Sequence, residues 1–421
     1  MANQSYTFKY GKTGVRFELD RDRVVGELKP KEYPPITEPQ AAIRQAIANP
    51  LQSKPLKEIV RPGQKVAFLV NDPTRVANSH VFMPILLDEL NAAGIPDRDM
   101  LIIFAVGAHR LVTPEEMVEL VGPDVGRRVE MINSNCHNPE EFKFLGSTSR
   151  GTPIHFHKRA AEADHIICTG SIVYHWFAGF GGGRKALFPG AALYETICRN
   201  HALMLEPGVG LGRLEGNAVH LDQIEGTEML RPSFLLNVVL NEKRELLKVF
   251  AGDYIQAHRE GCRFVESIYG TPISEPADLV IASCGGYPKD INVYQLQKTM
   301  DNVWLAVREG GVVILLGECV EGVGSDQYLQ WMEEFKTPER IEEEVRTHFI
   351  VGGHKAYAVT RLIKKAQFIL LSSLKPDLAR TLLFAPAKDM GEALAIAFQK
   401  VGPKPRILLM PQGSLTVPIL K

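Results

Sequence analysis

The sequence predicts an α/β protein of two doubly wound domains, and three observations predict it. Apolar runs of strand length recur along the chain, and most are continuously apolar rather than alternating. Such runs mark strands buried on both faces, as in a parallel sheet. Stretches with helical spacing separate them, which is the β-then-α order of doubly wound folds. The alternation halts at the breaker Tyr269-Gly270-Thr271-Pro272 and then restarts, so domains are expected over 1–270 and 271–421. A chain of 421 residues is long enough for each half to bury its own core.

Taken in order, YTFKY and VRFELD alternate as a hairpin around the turn Gly11-Lys12-Thr13-Gly14. The proline-rich stretch from Pro30 to Pro39 reads as a surface strap before a helix at 40–49. KVAFLVN (65–71) is the first buried strand, followed by a helical pattern over 79–93. MLIIFAVG (100–107) is the second, and the helix after it opens with Thr113-Pro114-Glu115-Glu116, a capping box with proline at the first helical position. RVEMINS (128–134) and DHIICTGSI (164–172) complete this series. From about 233, SFLLNVVLN and LLKVFAG alternate and suggest an antiparallel hairpin, with a helix over 253–268 behind it. The second half supplies DLVIASC (278–284), GVVILLG (311–317), QFILLSS (367–373), TLLFAPA (381–387) and RILLMP (406–411).

Composition removes several classes of function. Lys and Arg number 48 against 49 Asp and Glu, so no broad basic field is available for nucleic acid or an anionic membrane surface. The six cysteines are scattered without a C-x-x-C pair, which reads as buried thiols of a reducing compartment. The first twenty residues lack a basic segment followed by an apolar run, and no apolar run reaches membrane length; a cytoplasmic protein is expected. The twelve histidines raise the sharper question of where they sit.

Ligands of open parallel sheets bind beyond the carboxyl ends of the strands. Asp72, Pro73, Thr74 and Arg75 follow the first strand, His109 and Arg110 the second, and His175 the fourth. Any one of these, taken singly, reads more readily as a cap or loop residue. Together they put an acid, two imidazoles and a guanidinium on one rim. Two histidines there suit acid/base chemistry near neutral pH, and an arginine beside them suits a carboxylate substrate.

The densest segment is His175-Trp176-Phe177-Ala178-Gly179-Phe180-Gly181-Gly182-Gly183-Arg184-Lys185. Its glycines let backbone amides approach a ligand closely, and Arg184 and Lys185 add charge. It is not a Walker A loop, because Ala186 stands where the magnesium-binding hydroxyl belongs, and no acidic residue completes a dinucleotide fingerprint. A lysine held by such a loop can also anchor a cofactor covalently. Downstream, Asn200-His201 lies in a helical stretch, and Gly208-Val209-Gly210-Leu211-Gly212 reads as a loop. In the second half Tyr287-Pro288-Lys289-Asp290 follows DLVIASC, and the next helix carries Tyr294, Gln295 and Lys298. Tyr294 and Lys298 are four apart and share a face, which reads equally as a solvated face.

DPTR (72–75), GAHR (107–110), H-x-F-A-G-F-G-G-G-R-K (175–185), Asn200-His201 and YPKD…YQLQK (287–298) occur in order, and together they resemble the nickel-dependent lactate racemase family. The resemblance implies two α/β domains with the active site in the cleft between them. It implies a nickel-pincer nucleotide, a pyridinium-3,5-bisthiocarboxylic acid mononucleotide whose thioamide is attached to a lysine, here Lys185. His201 would be the protein ligand to nickel, completing a square plane with two sulfurs and a ring carbon of the cofactor. His109 and His175 would be the acid/base pair. Arg75, Gln295 and Lys298 would bind the substrate carboxylate, and Asp72, Gly182, Gly183, Arg184 and Tyr294 would contact or orient around the cofactor. Tyr357 in GGHKAY is the candidate for an aromatic pocket residue.

The reaction implied is racemisation or epimerisation of a 2-hydroxy acid, lactate or a relative, by proton-coupled hydride transfer through a 2-keto acid. Partners implied are the small-molecule substrate and the proteins that assemble the cofactor and insert nickel, with neither nucleic acid nor membrane. Two other classes compete: an NAD-dependent 2-hydroxyacid oxidoreductase, and a non-catalytic nickel- or nucleotide-binding protein. The His109/His175 pair favours catalysis, because storage needs no second base.

Overall fold

The computed structural model describes residues 3–420. The chain divides into two compact units, one running Tyr33–Glu266 and the other combining Ser267 onward with the segment that ends at Glu32.

The unit Tyr33–Glu266 is built on a six-stranded sheet. Its spatial order is Leu246–Gly252, Phe234–Leu240, His165–Ser171, Val66–Val70, Met100–Phe104 and Glu130–Asn133. All neighbours run parallel except the first pair, which is antiparallel as the alternating runs predict. Every residue of Val66–Val70 and Met100–Phe104 is buried, which explains their unbroken apolar sequences. Helices Pro39–Ala48, Ser79–Ala92 and Pro114–Val121 contribute Ile43, Leu86 and Met117 to the core that contains Phe68 and Phe104. The predicted capping box is formed: Thr113 accepts from the Glu116 amide, and the Glu116 carboxylate accepts from the Thr113 amide.

The other unit holds a second six-stranded sheet, entirely parallel, in the order Ala385–Ala387, Gln367–Leu371, Val307–Leu316, Ala277–Ser283, Ile407–Met410 and Val24–Glu27. Its last strand departs from the 1–270 expectation. The hairpin Asn3–Tyr10 and Thr13–Asp20 buries Phe8, Phe17 and Leu19 in the same core as Leu279, Ile281 and Ile314. An amphipathic hairpin shows in sequence that it needs an apolar surface, but not which surface covers it.

Three local expectations are corrected. Tyr10 pairs with Thr13, so the hairpin turn is the two residues Gly11-Lys12, with Gly11 at φ +52°. Gly270–Ile273 is a short strand paired parallel with Val417–Leu420, although its Gly-Thr-Pro sequence predicts a breaker. Of TLLFAPA, Thr381 ends a helix and only Ala385–Ala387 is strand. An unforeseen hairpin, Phe142–Ser147 with Pro153–His157, carries His155 and His157. All six cysteines are free thiols, and among the described residues no helix is long and apolar enough to cross a membrane.

Candidate active site

In the first sheet the strand Val66–Val70 lies between Met100–Phe104 and His165–Ser171, and the chain winds outward from it in both directions. That makes its carboxyl end a topological switch point, where loops diverge and leave a crevice. The segments leaving these three strands carry Asp72, His109 and His175.

Asp72 is 3% exposed, and its Oδ2 lies 3.0 Å from His109 Nδ1. Its Oδ1 accepts from the Thr74 amide at 2.7 Å. Burial pushes the Asp72 carboxyl up, but the hydrogen bonds and charge of His109 and the Thr74 contacts outweigh it and hold it below its ordinary value. An ionised Asp72 assigns the Nδ1 proton to His109, which leaves the Nε2 lone pair as the basic atom. Thr74 Oγ1 also approaches His109 Nδ1 at 3.3 Å.

His175 sits in the short strand Tyr174–His175, paired with Gly179–Phe180. The Ala178 amide donates to His175 Nδ1 at 3.3 Å, so in the neutral ring the proton sits on Nε2. The two histidines are therefore held in complementary tautomers.

The glycine loop that follows is shaped by packing. A Cβ on Gly182 would come within 2.7 Å of the Asn237 amide oxygen, and one on Gly183 within 2.6 Å of the His258 ring. Both glycines have positive φ. Asn237 Oδ1 accepts from the Gly183 amide at 2.7 Å, and His258 Nε2 donates to the Gly181 carbonyl at 2.9 Å. The loop is tied to the His109 segment through Gly190, whose carbonyl accepts from Gly107 at 2.9 Å and whose amide donates to the Lys185 carbonyl at 3.1 Å.

Arg184 differs from expectation. It is 1% exposed, and its two terminal nitrogens donate to the carbonyls of Phe180 and Ala178 at 3.3 and 3.0 Å. It braces the loop from within rather than reaching toward a ligand, because the loop's inward carbonyls need a buried donor. Burial lowers its guanidinium to about 10. Lys185 lies with Nζ 5.5 Å from the centre of the Phe177 ring. Burial, then the charges of Arg184 and Arg75, push its amine well below the usual lysine value. Arg75 itself is exposed.

Phe177 joins three of the predicted residues. Besides Lys185, its ring meets His175 at 4.5 Å and His201 at 4.9 Å between centroids, both edge-on. His201 is 9% exposed on the helix Tyr194–Ala202. Asn200 beside it is fully buried, donating to Asp222 Oδ2 at 2.9 Å and accepting from Gln223 at 2.9 Å. Asp222 also accepts from Thr148 and Thr152, so the helix carrying His201 is tied to the hairpin of Phe142–Ser147 and Pro153–His157 by a buried polar network.

Arg110, a rim candidate by position, is instead paired with Glu116 at 2.7 Å and points away into solvent. In the other unit, Asp290 is structural: its Oδ2 accepts from Gly11 at 2.7 Å and from Glu318 at 3.2 Å, clamping the hairpin turn. Tyr294, Gln295 and Lys298 lie on the helix Val293–Ala306, the first two half-buried and Lys298 exposed. Tyr357 is half-buried on the helix His354–Lys365.

Sequence reasoning gave no role to Asn237, His258, Asn217 or Asp222. Asn217 caps the helix Ala218–Glu228 and donates to the Phe177 carbonyl at 2.7 Å. A polar Asn237 in the middle of the apolar run SFLLNVVLN was a visible signal; the others had none. Among the described residues no group of three or more His, Cys, Asp or Glu side chains is arranged to hold a metal ion, so a metal at His201 would need donors brought by a ligand.

Comparison with known proteins identifies the family of the chain. Residues 10–212 match the lactate racemase N-terminal domain and residues 273–417 the lactate racemase C-terminal domain. Over 413 residues, 96% of the chain, it is 32% identical to lactate racemase of Thermoanaerobacterium thermosaccharolyticum (96% of that protein) and 30% identical to lactate racemase of Lactiplantibacillus plantarum (97%). The solved apoprotein of the Thermoanaerobacterium thermosaccharolyticum lactate racemase superposes with TM-score 0.90 at 31% identity, covering 99% of this chain and 100% of that one. A Thermotoga maritima protein shares the fold alone, with TM-score 0.64 at 20% identity over 92% of this chain and 99% of its own. The chain belongs to the lactate racemase family, a family of isomerases.

Proposed function

We propose that the protein interconverts the enantiomers or epimers of a 2-hydroxy acid, lactate or a close 2-hydroxycarboxylate, at the switch point of the first sheet. The observation that carries this reading is the pairing of His109, backed by Asp72 at 3.0 Å, with His175, whose Nδ1 accepts the Ala178 amide. One imidazole offers a lone pair and the other a proton, as a reaction that removes and returns a hydroxyl proton requires. Inversion needs the hydroxyl served from two directions, and a one-base oxidoreductase does not need the second histidine.

The residues fit the nickel-pincer nucleotide of the family. Lys185 is half-buried with its amine pushed well below the usual lysine value, and His175, His201 and Lys185 surround one Phe177 ring. Lys185 would be the anchor, His201 the metal ligand, and Gly182 and Gly183 would allow close backbone approach. When bound, the cofactor supplies hydride-accepting chemistry. The chain's own residues do the rest: His109 takes the hydroxyl proton of one enantiomer, His175 in its imidazolium form gives one to the oxygen on the opposite side, proton exchange with solvent resets the two rings, and Arg75 neutralises the carboxylate. Gln295 and Lys298 as carboxylate contacts and Tyr294 as a cofactor contact rest on the family resemblance, as do the assembly and nickel-insertion partners.

The test is chiral analysis of product from one pure enantiomer, using protein made alongside the cofactor-assembly enzymes, with intact mass measured in parallel. Racemic product and a nucleotide-sized adduct lost in Lys185→Ala are expected. Unmodified Lys185 in active protein would overturn the anchor. Net NADH formation would favour the oxidoreductase reading, and binding without turnover the storage reading.

A further inference from the structure

The helix Val293–Ala306 presents Tyr294, Gln297 and Asp301 at positions i, i+3 and i+7, along one stripe. Against that stripe packs His354–Lys365, carrying Lys355 and Arg361. Lys355 Nζ donates to Gln297 Oε1 at 2.5 Å and lies 4.5 Å from the centre of the Tyr294 ring. Gln297 Nε2 donates to Asp301 Oδ2 at 2.7 Å, and Arg361 donates to Asp301 Oδ1 at 2.6 Å. Gln297 and Asp301 are 2% and 5% exposed.

A run of buried polar and charged groups between two helices is an expensive way to join them, since apolar side chains of similar volume do so as well or better. Burial pushes the Asp301 carboxyl up to about 6 even against the pull of Arg361 and Lys355. The run reaches Tyr294, one turn from the exposed Lys298. We propose that Lys355 is a positioning residue for Tyr294: the Arg361–Asp301–Gln297 relay fixes the ammonium over the ring, which holds the ring's orientation. No role had been assigned to Lys355. Its consequence for turnover rests on the reading of Tyr294 as a cofactor contact, whereas its geometry does not.

The experiment therefore has two arms. In the first, 3-fluorotyrosine is placed at position 294 of the otherwise unaltered, cofactor-free chain and followed by fluorine NMR. Lys355→Met is expected to move and broaden the resonance, and Lys355→Arg, which keeps a cation over the ring, to restore it. Asp301→Asn should displace the resonance in the same direction, and the double variant should give less than the sum of the two, because both act through one relay. A resonance indifferent to Lys355→Met, or additive displacements, would overturn the proposal. If Asp301→Asn fails to fold, Gln297→Met probes the same relay from its middle. In the second arm, kcat/KM of the loaded enzyme is expected to fall about 5-fold in Lys355→Met, the scale of a partly buried cation–π contact, with most of it recovered in Lys355→Arg. An unchanged kcat/KM beside a shifted resonance would leave the positioning intact and count against Tyr294 as a cofactor contact.

Discussion

Asp72 and His109 are 37 residues apart and come from different strands, yet a 3.0 Å hydrogen bond joins the carboxylate to the imidazole Nδ1. The parallel register of Val66–Val70 on Met100–Phe104 brings their carboxyl ends level, and that is what sets the two loops side by side. The bond fixes which nitrogen of His109 is basic.

Asp72→Asn is expected to lower racemisation about 10²–10⁴-fold with little change in stability, because an amide at this place no longer enforces the Nδ1-protonated tautomer. Chiral chromatography of progress curves measures it; wild-type rates in the variant would contradict the dyad. Because the Asp72 carboxyl is held below its ordinary value, its contribution is present above the usual carboxylate range. It is lost only as pH falls through that lowered value, so an activity limb above about pH 5 belongs to another group.

Phe177→Ala should disturb His175, His201 and Lys185 together, since one ring contacts all three. Truncating this buried aromatic costs on the order of 3–5 kcal/mol, so Phe177→Leu is the informative variant. It should stay folded by circular dichroism and load less cofactor by intact mass. Full loading with unchanged activity would reduce the ring to packing.

Lys185 in the cofactor-free chain should react with acetic anhydride as a neutral amine at lower pH than the exposed lysines, because burial and the charges of Arg184 and Arg75 disfavour its ammonium form. Peptide mass spectrometry across a pH series gives the midpoint. The midpoint, rather than the extent of labelling, separates reactivity from access, and a midpoint shared with surface lysines would contradict the prediction.

His258 and His220 are expected to make the fold acid-sensitive. Burial first, then Arg184, lowers them to about 3 and about 2. Between the ordinary histidine value near 6.5 and those values the unfolded chain binds protons that the folded chain refuses, so stability is present above about 6.5 and falls on acidification. The expected loss is about 1.4 kcal/mol per pH unit for each group in that window. Urea midpoints at pH 7 and pH 5 check it, and His258→Asn should show a flatter dependence.

Sequence by itself determined most of the sheet strands, because continuous apolar runs such as Val66–Val70 can be satisfied only between two covering layers, and it located the loops at their carboxyl ends; the edge strand Val24–Glu27 carries no such run. It also carried the candidates His109, His175, Lys185 and His201, since short motifs with fixed spacing survive as text. It could not assign the N-terminal hairpin, because Phe8 and Phe17 state a need for burial without naming Leu279 and Ile281 as the partners that meet it. Nor could it tell Arg75 from Arg110 and Arg184 by function. Tertiary packing decided that Arg110 pairs with Glu116 and that Arg184 turns inward to two carbonyls. The same holds for His258, Asn237 and Lys355, whose partners lie tens of residues away. Periodicity reports which face of an element must be buried; only the assembled chain settles what each polar atom meets there, because hydrogen bonds depend on angstrom-scale approach between segments that the sequence lists far apart.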